Sequence, residues 1–204
     1  PHEDKLCFSA IFKMNENGEI LDEWFGRTII HSNRRFTYEE AQEVIETGLG
    51  EYNSEIIILH TLAQQLRAAR FKSGAIAFAR DEVGFKLDEK GRPIGVYTKV
   101  QKEANQLIEE FMLLANRIVA TAIGKRSKEE IQKAQEAKPF VYRVHDNPDP
   151  EKIGKLSTFI KRFGLNLKVS SNSKTTHKHI NALLDDCQGM PCQTLVETLT
   201  IRSM

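Results

Sequence analysis

Residues 103–116, EANQLIEEFMLLAN, constrain this chain more than any other segment. Two adjacent carboxylates abut an apolar run, inside a helical pattern that continues to about Ile123 and stops at Gly124. At 3.6 residues per turn, Ala104, Ile108, Phe111, Ala115, Ile118 and Ala122 fall on one face and read as core. Glu103, Gln106, Glu110 and Arg117 gather on a face expected to be solvated, and Asn105, Glu109 and Asn116, with Met112, form a third stripe. Glu109 is thereby separated from Glu110. It is expected at the edge of the buried region, where an anion needs partners or a job. The residues alone leave a structural and a functional role for it equally open.

Composition narrows the partners. Among 204 residues, 29 basic side chains face 28 acidic ones for a net charge of +1, so any anionic partner must be held by a local patch. Cys7, Cys187 and Cys192 lack CxxC spacing. They build neither a disulfide framework nor a zinc site, and they suit a reducing cytoplasm. No apolar run is long enough for a membrane span. The chain begins at Pro1 and ends in TLVETLTIRSM without a Gly or Pro stop, so both ends read as cut. A piece of a longer protein is expected.

Strands are expected over residues 6–13 and 20–30, joined by a turn at Asn17-Gly18. Thr37 and Glu40 form a TxxE capping box opening a helix that Gly48 and Gly50 end. A second helix is predicted over residues 56–71, with Leu59, Leu62, Ala63, Leu66 and Ala69 on one side. Short strands are predicted over 75–78, 84–87 and 94–100, with a turn at 88–93 between the last two. Residues 125–138, rich in Lys, Glu and Gln, read as a solvated stretch or a basic contact surface. A strand over 140–144 leads to Asp149 and Pro150, an N-cap and first helical residue for a helix to about Phe163. A polar loop over 170–179 and helices over 180–186 and 192–202 complete the chain. Strands first and helices afterwards make the fold class α+β, with helices packed on a sheet.

Candidate chemistry is sparse. His177 and His179 flank Lys178 without a third ligand nearby, and His145 with Asp146 sits in a turn-forming HDNPDP run. No Ser/His/Asp set, phosphate-binding loop or paired-metal carboxylate cluster occurs. Aromatics are more suggestive. Tyr38 follows Arg34, Arg35 and Phe36, and Phe78 lies between Lys72 and Arg80. Rings beside cations grip single-stranded nucleic acid by stacking bases and pairing phosphates, and core packing remains the other reading for both rings.

EANQLIEEFMLLAN resembles the signature helix of the catalytic (RNB) domain of ribonucleases II and R, processive 3′-to-5′ exoribonucleases. LCFSAIFKMNENGEI, WFGRTIIHSNRRFTYEEAQ, GAIAF, YRVHDNPDPEKI and LTIRSM match in the family's order, over essentially the whole chain. The wording is closer to ribonuclease R. The resemblance implies that Tyr38 contacts the 3′-terminal region of RNA, that Phe78 stacks near that end, and that Glu109 recognises the ribose 2′-hydroxyl. It implies magnesium in the full-length enzyme, no metal on this piece, and a single-stranded or structured RNA substrate with a free 3′ end. It points to no obligate protein partner, and the lack of a long apolar run leaves no membrane role expected.

The same resemblance implies that the chain, residues 1–204, is the central part of one RNB domain. The metal-binding aspartates would lie upstream, and an arginine contacting the scissile phosphate downstream. No catalytic residue is then expected in the chain, and it is expected to be inactive alone. A non-catalytic RNA-binding or scaffolding relative is the rival expectation; a helical interaction module unrelated to RNA is a third.

Overall fold

The structure, a computed structural model, describes residues 1–76, 82–124, 139–144, 148–168 and 173–204. Among these, six α-helices and two two-stranded antiparallel sheets give the expected mixture of helix and strand, with every strand in the first half. The chain divides into two compact units: Pro1–Ala68 with Gln101–Tyr142, and Ala69–Val100 with Arg143–Met204.

In the first unit, β1 (Asp4–Met14) and β2 (Ile20–His31) pair from Asp4↔His31 to Met14↔Ile20. The turn forms as expected. Asn15 Oδ1 accepts from the Asn17 and Glu19 N–H groups at 3.0 and 2.9 Å, and Gly18 takes φ +76°, a region that suits glycine. Cross-strand pairs stabilise the ribbon: Phe12 meets Phe25 edge-on at 6.1 Å, and the Arg27 guanidinium lies 5.9 Å from the Phe8 ring. The Trp24 indole lies over Gly26, where a side chain would collide with it.

Helices α1 (Tyr38–Thr47), α2 (Asn53–Lys72) and α3 (Glu103–Gly124) carry the core of this unit. Val44, Ile56, Ala63, Ala104, Leu107 and Leu114 are buried there. The face expected to be buried on α3 is corrected. The buried stripe is Ala104, Leu107, Glu110 and Leu114, whereas Ile108 is exposed. Glu110, expected in solvent, is 3% exposed and faces Arg67 of α2, whose Nη1 lies 3.5 Å from its Oε1. The guanidinium compensates the desolvation that made burial improbable on the sequence.

In the second unit, β3 (Glu82–Leu87) pairs with β4 (Pro93–Lys99). Asp88 builds their turn, accepting from the Lys90 and Arg92 N–H groups at 2.9 and 2.8 Å. Helix α4 (Pro150–Ile160) starts as expected: Asp149 Oδ1 accepts from Glu151 N–H at 2.9 Å and Pro150 is the first helical residue. A 3-10 turn at Lys161–Phe163 follows, then α5 (Ser173–Asp186) and α6 (Gln193–Arg202).

Ile153, Ile160, Ile180, Leu183 and Val196 pack a helical core that Cys187 and Cys192 join as packing residues. Both thiols are free, as is Cys7, and burial pushes the Cys187 thiol up, which makes it inert.

Two expectations fail in this unit and at its border. Residues 140–144 form no strand, and the supposed polar loop is helical from Ser173. The fully buried Ile180 and Leu183 anchor α5, so packing on that face carries the polar residues before it into helix despite their modest propensity.

Candidate functional site

The site begins at a helix cap. Thr37 Oγ1 accepts from Glu40 N–H at 3.2 Å, and Glu40 Oε2 accepts from Thr37 N–H at 2.7 Å, so both arms of the capping box are formed. Tyr38 is thereby the first residue of α1, its side chain 47% exposed. Arg34 supports the cap. It reaches Glu40 and Glu51 at 3.0 Å each, and its guanidinium lies 4.8 Å from the Phe36 ring, which meets Tyr52 edge-on at 6.2 Å.

The Thr37 N–H and then Arg34 hold the Glu40 carboxyl below its ordinary value. Its contribution to the cap is therefore complete above the ordinary carboxylate pKa and is lost as pH falls through the lowered one. Thr37→Ala removes one arm of the box and is expected to cost about 1 kcal/mol, read as a lowered urea midpoint at unchanged slope. An unchanged midpoint would show that Arg34 and the remaining arm, the residue 37 N–H on Glu40, hold the cap without the hydroxyl.

Beside this cap opens a cleft of 820 Å³. Arg35, Phe36, Thr37 and Tyr38 line it from the start of α1, Ile56 and Leu59 from α2, and Ala104, Leu107 and Ile108 from α3. Its floor is apolar, with an aromatic ring on one wall. Arg35, which also lines it, makes no ion pair among the described residues, unlike Arg34. An apolar slot with a ring and a cation suits a flat, anionic polymer unit, the base entering and the phosphate remaining outside.

Glu109 is half-buried and follows directly on cleft-lining Ile108. A turn of about 100° per residue puts it about 100° from Ile108 and about 160° from Leu107 around α3. Tyr38 and Glu109 are therefore on the same unit but not in one cleft. Phe78 lies outside the described residues, as do His145, Asp146 and residues 125–138. His179 Nδ1 donates to the Lys168 carbonyl at 2.8 Å. Among the described residues no three His, Cys, Asp or Glu side chains converge on a possible metal position. No helix of the described residues is long and apolar enough to cross a membrane.

Two polar residues of this region went unrecognised in the sequence. Glu110 ties α3 to α2 through Arg67, and Gln42, also buried, bonds α1 to the start of α3. A signal for the first existed. Arg67 follows Ile56, His60 and Ala63 at helical spacing, so the stripe facing α3 ends in a cation.

The family model of the RNB domain matches residues 1–204. The chain is 37% identical to DIS3-like exonuclease 2 of Xenopus tropicalis over 199 residues, covering 89% of this chain and 23% of that protein. It is 30% identical to ribonuclease R of Aquifex aeolicus over 210 residues, covering 100% of this chain and 28% of that protein. It is also 31% identical to Inactive exonuclease DIS3L2 of Arabidopsis thaliana, covering 85% of this chain and 17% of that one.

The solved structure of Mycoplasma genitalium RNase R in complex with double-stranded RNA shares the fold at a TM-score of 0.81 and 23% identity, covering 100% of this chain and 35% of that chain. The chain thus spans between 17% and 28% of the length of these curated relatives. With the family model matched from first residue to last and the fold shared over the same length, the chain belongs to the RNB-domain ribonuclease family.

Proposed function

We propose that this chain supplies part of the RNA path in a 3′-to-5′ exoribonuclease of the ribonuclease R type. The longer protein hydrolyses RNA with a free 3′ end, single-stranded or structured, to nucleoside 5′-monophosphates, and residues 1–204 are the central part of its RNB domain. Tyr38 stacks on a base near the 3′ end, with Phe78 assigned the same kind of contact, and Glu109 accepts from a ribose 2′-hydroxyl.

The observation that carries the reading is the cleft: a capped helix presents Tyr38 over an apolar floor, beside an Arg35 that makes no ion pair among the described residues. Family membership over the whole chain supports it. Magnesium is assigned to the longer enzyme. The described residues offer no converging ligand set for it, so no hydrolytic step is derived from them. The three free thiols suit a reducing compartment, and on them we assign the protein to the cytoplasm.

Tyr38→Ala in the longer protein is expected to weaken binding of a short single-stranded RNA by about 5- to 150-fold, the worth of one stacked base at about 1–3 kcal/mol. Fluorescence anisotropy measures this, and an unchanged Kd would overturn the contact. The isolated chain, incubated with RNA and magnesium, is expected to release no mononucleotides; their release would refute the division of labour proposed here.

The second reading is a non-catalytic relative that keeps the RNA path. The inactive exonuclease of Arabidopsis thaliana, 31% identical, favours it. Closely spaced aspartates in the RNB segment preceding Pro1 would decide for the enzyme, and their loss for the scaffold.

A further inference from the structure

We propose that Gln42 is the positioning residue of the Tyr38 cleft, fixing the separation of the helix starts that form two of its walls. The inference rests on the reading of Tyr38 as an RNA contact. Gln42 lies four residues after Tyr38, one turn along the same side of α1. It is 3% exposed. Its Oε1 accepts from the Ala104 N–H at 3.0 Å, while its Nε2 donates to Glu103 Oε2 at 2.6 Å and to Glu46 Oε1 at 2.9 Å. Ala104 is in turn one turn before Ile108, and both line the cleft. The amide thus clamps α1 to the first turn of α3 one turn away from the residues that would touch a ligand.

The chemistry requires an amide at this position. The first N–H groups of a helix have no partner within it, and Gln42 supplies from another helix the acceptor that an N-cap side chain ordinarily gives. The same side chain must donate to two carboxylates, Glu46 and Glu103. A glutamate would put a third anion between them, and a methionine would leave a buried N–H without an acceptor. Lys102 Nζ, 3.6 Å from Glu46, completes the arrangement. Glu103's own backbone N–H and then Gln42 hold the Glu103 carboxyl below its ordinary value, with smaller contributions from His60 and Lys102.

The test uses the longer protein carrying Gln42→Met, Glu103→Ala and Glu103→Gln, each alone and combined with Tyr38→Ala. Kd for a short single-stranded RNA is read by anisotropy, and folding by circular dichroism. Gln42→Met, which removes all three hydrogen bonds, is expected to weaken binding about tenfold, with the far-ultraviolet spectrum retained. That loss should vanish in the Tyr38→Ala background, because a residue acting through the ring has nothing left to position.

A loss of the same size in both backgrounds, or no loss, overturns the inference. If Gln42→Met fails to fold, the exposed Glu103 decides. Its alanine variant should weaken binding only when Tyr38 is present, its glutamine variant should restore it, and an unchanged Kd for the alanine variant overturns the inference. If Tyr38→Ala alone leaves RNA affinity unchanged, the contact reading falls and this inference with it. If Tyr38→Ala weakens binding while Gln42→Met and Glu103→Ala do not, this inference alone falls.

Discussion

Arg67→Ala is expected to lower the unfolding free energy by about 3 kcal/mol, near the lower end of what breaking a buried ion pair costs. Glu110 is 3% exposed and Arg67 32%, so the substitution takes the compensating cation from a carboxylate that water reaches poorly. Partial exposure of the guanidinium is why the lower end is chosen. The exposed pair between Lys155 and Glu151 is the contrast: at 74% and 76% exposure its loss is expected to cost no more than about 1 kcal/mol. Replacing both partners, as Arg67→Met with Glu110→Leu, should restore most of the lost stability, since two apolar groups need no desolvation offset. Urea unfolding of the four proteins measures each step. A midpoint unchanged by Arg67→Ala would mean that the pair does not hold α2 to α3.

Local signals in the sequence were read correctly because few residues decide them. Thr37 with Glu40, Asn17 with Gly18 and Asp149 with Pro150 each complete their hydrogen bonds within one turn, and all three form as expected. The buried face of α3 could not be read that way. Ala104, Leu107, Phe111 and Leu114 make as good an apolar stripe as Ala104, Ile108, Phe111 and Ala115. What separates the two is Arg67, 43 residues before Glu110, and its reach across helices leaves no trace in the periodicity of α3.

Gln42 was illegible for the same reason. Its partner Glu103 is 61 residues away. The start of α5 at Ser173 depends on the core that Ile180 and Leu183 enter, so the polar composition before them misled. The place of Tyr38 at the start of α1 was legible because the cap fixes it, whereas the cleft beside it needs three helices to exist.

Burial also changes what the two adjacent carboxylates of α3 are expected to do. Glu110 acts on stability, so its substitution should weaken binding of RNA and DNA ends alike, in proportion to the unfolded fraction. Glu109→Gln in the longer protein is expected to act on the sugar instead. If the Glu109 carboxylate accepts from a 2′-hydroxyl, the neutral amide oxygen that replaces it accepts more weakly, and about 1–1.5 kcal/mol of preference for RNA over DNA is lost. That corresponds to about 5- to 13-fold in the ratio of the two Kd values.

Tyr38 supplies the internal contrast, because a stacked ring does not sense the sugar and its loss should leave that ratio unchanged. Tyr38 lines the cleft from α1 and Glu109, on α3, does not line it, so they meet different parts of the ligand and their effects should add. Competition between matched RNA and DNA oligonucleotides measures the ratio for each variant. Equal weakening of both sugars by Glu109→Gln would remove Glu109 from sugar recognition and return it to the structural role that the residues alone left open.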